Sequence, residues 1–542
     1  MKKFFSTLVL LQSFFIVNSQ SVNLTSSNLP IIVINTHGQE ILDDPKISAD
    51  MGIIDNGTGN RNNLTDPFTQ YNGKIGIEIR GQSSQMFPMK SYSIELQDLA
   101  GKSVDKSLFG LPKESDWVLY APYTDKTLMR NVLAYQMSRD LDHWSAHCKY
   151  VEVILNGDYR GVYVFMERIK RNAGRVNIPK IAKTDISGDA LTGGYIFSLD
   201  KEPDGWFSKY FTPNTNQKRQ YSYIYPKVAD IVPEQKAYIE SYVDSFETAL
   251  ASTQYQDPIA GVRKFANLNS FMDYFIVNEV SRNVDGYRLS TYMYKDRNSI
   301  DRRIVAGPVW DYDLAFRNAN YCNGSDIWGW AYQFNNICPN DGAGTIPFWW
   351  NRLMTDTAFT SALRCRWKSA RQSIISTTRM HAMVDSIASL LDESQKRHFV
   401  RWPILGKAVW PNPNPIPASY VEEISTLKNW LNNRLEWIDG NITNNGTCAD
   451  IAVVTEPFAV SVYPNPLVST SAVEIRSNAE QTVYIKVVDA MGRDVRKHSQ
   501  NISIGTTKVE LNSNLWSQGV YIIEVRNKKG EGGVFKVVKG GK

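Results

Sequence analysis

The apolar pattern of this chain changes at the turn-rich segment 441–458, and the change divides the sequence into two regions. Before it, short apolar runs with a period of two alternate with runs at helical spacing, which indicates strands mixed with helices. After it come only period-two runs separated by turn residues. We therefore predict an α+β domain over residues 29–440, a linker over 441–458 and a small antiparallel β-sandwich over 459–542.

The first residues predict export. Lys2 and Lys3 precede an apolar run over 4–17, and Ser19 is followed by polar residues. A basic start, a short apolar stretch and a small residue at its end are typical of a secretory signal peptide, here residues 1–19, rather than of a membrane anchor or a buried first helix. The run is shorter than the about 20 residues that a bilayer span needs. We expect no transmembrane segment.

Charge and cysteine content exclude several classes of protein. A net charge of +5 over 542 residues is too dilute for a dedicated nucleic-acid binder. With 6 His and no Cys-x-x-Cys pair among 5 Cys, a zinc site is not expected. The odd cysteine count leaves at least one thiol unpaired or paired between chains. Cys322 and Cys338 flank a Gly/Asn-rich loop and are the first candidates for a disulfide, although spacing does not fix connectivity.

The first region opens with strands, one helix and a hairpin. Apolar runs at 31–34, 75–79, 92–96 and 117–121 predict strands. A helix capped by Thr124 or Asp125 is expected to run to Leu141. The runs 151–155 and 161–166 meet at Asn156-Gly157, a strong hairpin signal. This order resembles the small lobe of a protein kinase.

A small turn between two of these strands is a candidate phosphate site. Residues 80–84 read Arg-Gly-Gln-Ser-Ser, so that Arg80, the hydroxyls of Ser83 and Ser84, and nearby backbone N–H groups can approach phosphate oxygens. Lys90, which opens the next strand, supplies a compact positive charge. The alternative is a plain hairpin with an exposed lysine.

Two acidic clusters follow a predicted helix at 268–280. Asp285 lies just beyond the helix, and Asp311 and Asp313 follow an apolar strand pair. Phosphoryl transfer needs one carboxylate to orient a hydroxyl and another to hold Mg²⁺ against the phosphates. Taken singly, each residue is also compatible with a turn aspartate or a strand-end carboxylate that is solvated or paired with arginine.

Several stretches of this region resemble the CotH-type (spore coat protein H) family of atypical secreted or surface protein kinases. The resemblance covers most of the chain from about residue 29 to residue 440 and depends on the stretches as a set. The matching stretches are 80–84, 90–92, 116–119, 125–131, 156–167, 193–196, 283–285 and 310–313.

The resemblance implies a two-lobe, kinase-like domain that binds ATP between its lobes and transfers phosphate to Ser or Thr of a protein. Lys90 would contact the phosphates, and Glu167 would lie near the hinge and the nucleotide. Arg130 or Arg80 would neutralise phosphate or pair with an acidic site residue.

The acidic residues take the remaining roles that the resemblance implies. Asp285 would be the catalytic carboxylate, and Asp311, with Asp313 as the alternative, would bind Mg²⁺ or Mn²⁺. The sequence also departs from familiar kinases. Ser290 stands where they place a metal-binding Asn, and Arg317 stands where they usually have Gly.

An alternative function is a cell-surface scaffold with weak or no catalysis. Aromatic clusters at 328–332 and 348–350 offer surfaces that stack on sugars or line a peptide groove, although such clusters also form core or lid packing. A hydrolase finds little support, because the chain has neither a Gly-x-Ser-x-Gly elbow nor a His-Glu-x-x-His pair.

The last region resembles the C-terminal sorting domain of the type IX secretion system of Bacteroidetes-type bacteria. The resemblance rests on 462–466 (Val-Tyr-Pro-Asn-Pro), 488–493, 519–525 and a lysine-rich end. It implies that the secretion machinery is a partner and that the protein is secreted or displayed on the cell surface by way of the periplasm. The alternative is a carbohydrate-binding or adhesive sandwich.

Overall fold

The structure is a computed structural model, and it describes residues 21–201, 204–257, 259–339, 344–442, 448, 458–463, 467, 471–477, 480–503, 505–528, 530 and 532–540. Contacts divide the chain into two compact units, Met1–Gly446 and Thr447–Lys542. The predicted signal peptide and most of the predicted linker lie outside the described residues. Each unit is described by itself below.

The first unit begins with a closed seven-stranded barrel, which the sequence did not predict. Its strand order is β2-β3-β5-β6-β7-β9-β8, and the barrel closes through parallel pairing of β2 with β8, while β1 and β4 form a separate pair. The strands are β1 (Ser26–Ser27), β2 (Ile31–Asn35), β3 (Ile47–Ile54), β4 (Asn62–Asn63), β5 (Tyr71–Arg80), β6 (Ser91–Gln97), β7 (Asp116–Tyr120), β8 (Cys148–Leu155) and β9 (Asp158–Glu167).

The predicted hairpin is confirmed. β8 and β9 pair up to Leu155 and Asp158, so that Asn156 and Gly157 form the turn. Their φ angles are 52° and 79°. A two-residue type I′ turn requires φ above zero at both central positions, which favours Asn-Gly.

The first helix, α1 (Arg130–Asp140), begins later than predicted. Neither Thr124 nor Asp125 occupies the N-cap position, which is Met129. Asp125 still satisfies the helix start, because its Oδ2 accepts a hydrogen bond from the Arg130 N–H at 2.8 Å. The loop before the helix folds back and brings this carboxylate to the first turn.

A five-stranded sheet of order β11-β12-β10-β13-β14 follows. This sheet and the helices around it agree with the predicted α+β class. The strands and helices are α2 (Gly188–Leu191), β10 (Tyr195–Leu199), β11 (Gly205–Phe211), β12 (Lys218–Tyr225), α3 (Pro233–Ala251), α4 (Leu268–Ser281), β13 (Thr291–Lys295), α5 (Asn298–Asp301), β14 (Ile304–Ala306), α6 (Trp349–Leu353), α7 (Thr357–Arg371), α8 (Thr377–Arg401) and α9 (Tyr420–Asn441). Short 3₁₀ helices span Ser83–Met86, Val262–Lys264 and Ala331–Asn336.

Helix α4 is central to this part of the unit. Every residue from Ser270 to Ser281 is buried, and the helix packs against α1, α7, α9 and β14. A helix that is buried all round must be enclosed by other elements. The loop that follows its C-terminus therefore begins at a rigid, enclosed helix.

The predicted disulfide between Cys322 and Cys338 is confirmed, with a Cα–Cα distance of 5.4 Å. Cys148 is a free thiol, and burial raises its pKa to about 12. Because a thiol attacks and binds metals as the thiolate, Cys148 is unreactive at neutral pH.

The second unit contains two antiparallel sheets, of order β15-β16-β19 and β18-β17-β20-β21. Apolar residues of both sheets, including Ile475 and Ile523, form one core. One strand, β18, was not predicted, because its sequence is mostly polar. The strands are β15 (Phe458–Tyr463), β16 (Ser471–Ser477), β17 (Gln481–Asp489), β18 (Asp494–Ile502), β19 (Gly505–Leu511), β20 (Gly519–Asn527) and β21 (Gly532–Lys539).

Candidate active site

A cleft of about 1220 Å³ lies between the barrel and the five-stranded sheet. Strands β5, β6, β7 and β9 of the barrel line one side, and β10, β13 and the loops after α4 and β14 line the other. The cleft brings together six of the nine residues that the sequence singled out. They are Arg80, Ser83, Ser84, Asp285, Asp311 and Asp313.

Asp285 is carried by the turn that follows α4. The helix ends at Arg282, whose left-handed backbone (φ 47°) turns the chain away from the helix axis. The Asp285 carbonyl then accepts hydrogen bonds from the N–H groups of Arg288 and Leu289 at 3.3 and 2.9 Å. The carboxylate lies 3.9 Å from the Arg288 guanidinium and is 17% exposed, so it is open to the cleft.

A buried side chain, Asn283, connects the two acidic segments. Its Oδ1 accepts a hydrogen bond from the Asp285 N–H at 3.1 Å, and its Nδ2 donates to the Asp311 carbonyl at 3.2 Å. The Asp311 N–H donates to the Tyr135 hydroxyl on α1 at 3.2 Å. These bonds hold Asp311 in a left-handed conformation, φ 65°, that costs a non-glycine residue roughly 1 kcal/mol or more.

Mutual repulsion perturbs the carboxyl groups of the cleft. Enclosure by protein, together with the charges of Asp285 and Asp200, raises the pKa of Asp311 to about 6, although its side chain is exposed to the cleft. Burial, together with the charges of Asp311, Asp285 and Asp125, raises the pKa of Asp313 well above its ordinary value. The side chains of Asp311 and Asp313 hydrogen-bond to each other. Like charges held this close need a proton or a cation.

Two guanidinium groups face the same region. Arg80, the last residue of β5, lies over the Trp310 ring at 5.3 Å from its centroid. Burial and the neighbouring charge of Arg168 lower the pKa of Arg80. In the described part of the chain, neither guanidinium forms an ion pair. Two guanidinium groups that line a cleft without a direct ion pair are suited to an anionic ligand.

Sequence reasoning missed Arg168 and Asp200. Arg168 directly follows β9, and Asp200 directly follows β10, where its carboxyl accepts a hydrogen bond from the Ser290 N–H. Both residues line the cleft. The available signal was a charged residue immediately after an apolar strand.

Three of the predicted site residues do not line the cleft. The Lys90 ammonium donates to the carbonyl of Gln85, and Lys90 lies near Arg160. Arg130 forms a buried ion pair with Asp125. The lysine that the sequence placed against the phosphates is thus outside the lining that the described residues form, and Arg80 is inside it.

Glu167 is the third predicted residue outside the lining. Its side chain is fully buried at the end of β9, where it accepts hydrogen bonds from the backbone N–H and from Nδ1 of His147 at 3.0 and 2.7 Å. The Arg175 guanidinium lies 3.7 Å from its carboxylate. The neighbours of Glu167 in sequence, Met166 and Arg168, do face the cleft.

The carboxyl groups fit a magnesium ion that is shared with phosphates. Among the described residues, no three His, Cys, Asp or Glu side chains are placed to hold a metal ion by themselves. Mg²⁺ is ordinarily bound by one or two carboxylates together with substrate phosphates and water. Asp311 and Asp313 match that donor set, because both carboxyl groups lie in the cleft and hydrogen-bond to each other.

The remaining lining includes apolar side chains. Met166, Ile169, Ile196 and Leu289 border the cleft, and each is at most 9% exposed. A flat aromatic group can pack between such side chains, while its polar substituents reach the charged end. The cleft therefore offers an apolar part and a charged part to one ligand.

The aromatic clusters noted in the sequence separate into core and surface. Trp349 and Trp350 are buried at 1% and 2% exposure and pack with Phe271 and Tyr287. Trp328 is 58% exposed, but it is not among the residues that line the cleft. The second cluster is therefore core packing.

Comparison with known families gives two matches. The family described as CotH kinase protein matches residues 77–438, more than half of the chain. The family described as secretion system C-terminal sorting domain matches residues 461–539. A comparison with curated proteins gave no match.

The sorting domain confirms the predicted localisation, at the cell surface or secreted, and indicates interaction with the type IX secretion machinery. None of the helices in the described ranges combines the length and apolar character that a bilayer crossing requires. The chain therefore belongs to the CotH kinase family and carries a type IX secretion sorting domain.

Proposed function

We propose that the protein is an ATP-dependent, Mg²⁺-dependent protein kinase that transfers the γ-phosphate to Ser or Thr of another protein. The observation that carries the proposal is the meeting of Arg80, Asp285 and Asp311 in one cleft, although more than 200 residues separate Arg80 from the two aspartates. Phosphoryl transfer depends on positioning and on charge stabilisation, which these residue types supply.

The ligand would be divided along the cleft. The purine packs between the apolar side chains of Met166 and Ile196. Arg80 and Arg168 neutralise phosphate oxygens, and the turn with Ser83 and Ser84 offers hydroxyl groups beside them. The terminal phosphate of the nucleotide then lies at the end of the cleft that holds Asp285, Asp311 and Asp313.

Asp311 and Asp313 would hold Mg²⁺, with Mn²⁺ as the alternative, and the ion would supply positive charge against the phosphates. Asp285 orients the acceptor hydroxyl and accepts its proton. The acceptor oxygen forms a bond to the γ-phosphorus as the bond from phosphorus to the bridging oxygen breaks, and ADP leaves. The proton lost by the hydroxyl is then on Asp285.

The test uses mature full-length protein, labelled ATP, Mg²⁺ and proteins secreted by the same cells. Asp285→Asn is expected to lower kcat by roughly 10²–10⁴-fold and to keep ATP affinity, because the proton acceptor is lost and the phosphate contacts stay. Asp311→Asn is expected to lower kcat similarly and to lose the Mg²⁺-dependent part of ATP affinity.

Asp392→Asn is the matched control. This aspartate is 70% exposed on α8 and pairs only with the surface residue Lys396 in the described part of the chain. Its loss is expected to leave kcat unchanged. Equal labelling by wild type and Asp285→Asn would contradict the catalytic assignment. ATP binding without any phosphoprotein would favour the binding scaffold instead.

A further inference from the structure

The Pro/Asn-rich run 410–417 forms a strap across the loop that follows Asp313. The Asn412 amide donates hydrogen bonds to the Thr124 carbonyl and to Asn318 Oδ1, both at 2.8 Å. The Pro411 carbonyl accepts from the Asn320 N–H at 2.9 Å. The strap is thus held in place by bonds at several points.

The strap places an aromatic side chain in the cleft. Trp410 lines the cleft and is 49% exposed, although it stacks on Tyr321 with ring centroids 6.0 Å apart and planes 8° from parallel. Leu314, Pro411 and Phe87 line the cleft as well. Aromatic side chains that line a cleft are frequent anchors for a bound partner.

The strap lies at one end of the row of carboxylates. Arg80 lies over the ring of Trp310, which directly precedes Asp311, whereas Asn318 donates a hydrogen bond to the Asp313 carbonyl. Arg80 is therefore near the Asp311 end of the row, and the strap is near the Asp313 end.

The side chain of Asn318 connects the strap to the backbone of Asp313. Asn318, 3% exposed, donates to the Asp313 carbonyl at 2.7 Å and accepts from Asn412. The strap and the backbone of Asp313 are thus fixed to the same side chain. A group seated on Trp410 has a defined position relative to the carboxylates.

We propose that Trp410, with Leu314 and Phe87, is the docking site for the acceptor protein, and that it takes an extended segment with a large apolar side chain beside the phosphorylated Ser or Thr. The inference rests on the proposed kinase function. In-line transfer places the acceptor opposite the leaving ADP, and Arg80, the proposed phosphate contact, lies near the other end of the row.

The occupant is a peptide rather than a glycan. Leu314, Pro411 and Phe87 line the same cleft as Trp410, and their side chains have no hydrogen-bonding groups. A sugar ring stacked on an indole needs polar partners for its hydroxyl groups, whereas an apolar side chain buries its surface there without leaving polar groups unpaired.

The experiment compares two series of Ser-containing peptides that carry either Leu or Phe, or Gly, at positions flanking the serine. Wild type is expected to phosphorylate the apolar series with a KM about tenfold lower than the Gly series, which corresponds to about 1.4 kcal/mol. Trp410→Ala is expected to remove that difference, with kcat and the KM for ATP unchanged. Trp410→Phe, which keeps a ring over Tyr321, is expected to restore most of it.

Trp328→Ala is the matched control, because Trp328 is more exposed than Trp410 but lies outside the cleft lining. It is expected to keep the wild-type preference. Phosphorylation by Trp410→Ala with an undiminished apolar preference would overturn the docking site and leave the kinase function standing.

Peptide binding separates the two proposals if wild type phosphorylates neither series. Fluorescence anisotropy of the labelled peptides then gives the affinity directly. Tenfold weaker binding of the apolar series to Trp410→Ala supports the docking site, even though the kinase function has failed. The docking site is overturned if both proteins bind the apolar series equally. It is also overturned if Trp410→Ala loses binding to an oligosaccharide array rather than to the peptides.

Discussion

The two acidic segments of the cleft depend on one amide side chain. We predict that Asn283→Ala lowers kcat roughly 10–100-fold with little change in the KM for ATP. The reason is that the Asp285 N–H and the Asp311 carbonyl lose the one side chain to which both are hydrogen-bonded. Loss of two buried hydrogen bonds should also lower the free energy of unfolding by about 1–3 kcal/mol. Steady-state kinetics and urea denaturation measure both effects.

Asn433→Ala, on the exposed side of α9, serves as the control and should leave kcat unchanged. A purely structural role for Asn283 would lower stability and leave kcat per folded molecule at the wild-type value. Asn283→Asp keeps the acceptor for the Asp285 N–H but loses the donor to the Asp311 carbonyl. It should therefore be no more active than Asn283→Ala.

A second residue-scale prediction concerns His398 on α8. The ring is fully buried, and its Nδ1 accepts a hydrogen bond from the Val162 N–H of β9 at 3.1 Å. Burial lowers its pKa from 6.5 to about 3. Below pH 6.5 the unfolded chain therefore binds a proton that the folded chain refuses, so stability is full above about pH 6.5 and falls as the pH approaches 3.

We expect the wild type to lose about 2 kcal/mol more than His398→Asn between about pH 6.5 and 4.5, because each unit of pKa shift corresponds to about 1.4 kcal/mol. The asparagine Oδ1 can accept the same hydrogen bond but does not titrate. Urea denaturation at the two pH values measures the difference. Parallel losses in both proteins would show that His398 does not control the acid sensitivity.

At the scale of elements, local signals predicted well and distant pairings did not. The Asn156-Gly157 turn was found because its two left-handed residues are adjacent in sequence. The closure of the barrel depends on the pairing of Ile31 with Glu152, which leaves no short-range pattern. Strand β18 was missed because its alternating face is polar and its apolar periodicity is weak.

The same distinction explains the site. Sequence spacing identified Asp285, Asp311 and Asp313, because an acidic residue that follows a buried helix or strand lies at the end of that element. The sequence named Lys90 as a phosphate contact and Arg130 or Arg80 as a second cation, but which of the three lines the cleft depends on how the barrel meets the second sheet. Only the assembled fold shows that the residue at the end of β5 faces the cleft.

The start of α1 provides a prediction for Arg130, whose implied partner was phosphate or an acidic site residue. Its guanidinium pairs with Asp125, and the two side chains are 4% and 1% exposed. Arg130→Met leaves a buried carboxylate without its cation, which should lower the free energy of unfolding by about 3–5 kcal/mol. The KM for ATP of the folded fraction should not change.

The double variant Arg130→Met with Asp125→Asn is the control, because it removes both charges and keeps an acceptor for the Arg130 N–H. It should recover at least half of the lost stability in urea denaturation. A large rise in the KM for ATP in either variant would instead support the phosphate contact.

At the scale of the whole molecule, the proposed catalytic cleft and the sorting domain lie in separate compact units. Each unit has its own hydrophobic core, one within Met1–Gly446 and one within Thr447–Lys542. Units with separate cores are expected to fold independently. Removal of one should not change the chemistry of the other.

We therefore predict that a chain ending before Val462 keeps the ATP affinity and the thermal unfolding of the first unit but accumulates in the periplasm. The reason is that the machinery reads the sorting domain, whereas the cleft is built entirely from residues before 412. Cell fractionation with immunoblotting locates the protein, and calorimetry with ATP measures binding. Fusion of residues 447–542 to an unrelated periplasmic protein should carry that protein to the cell exterior, and delivery of the truncated chain to the exterior would contradict the role of the domain.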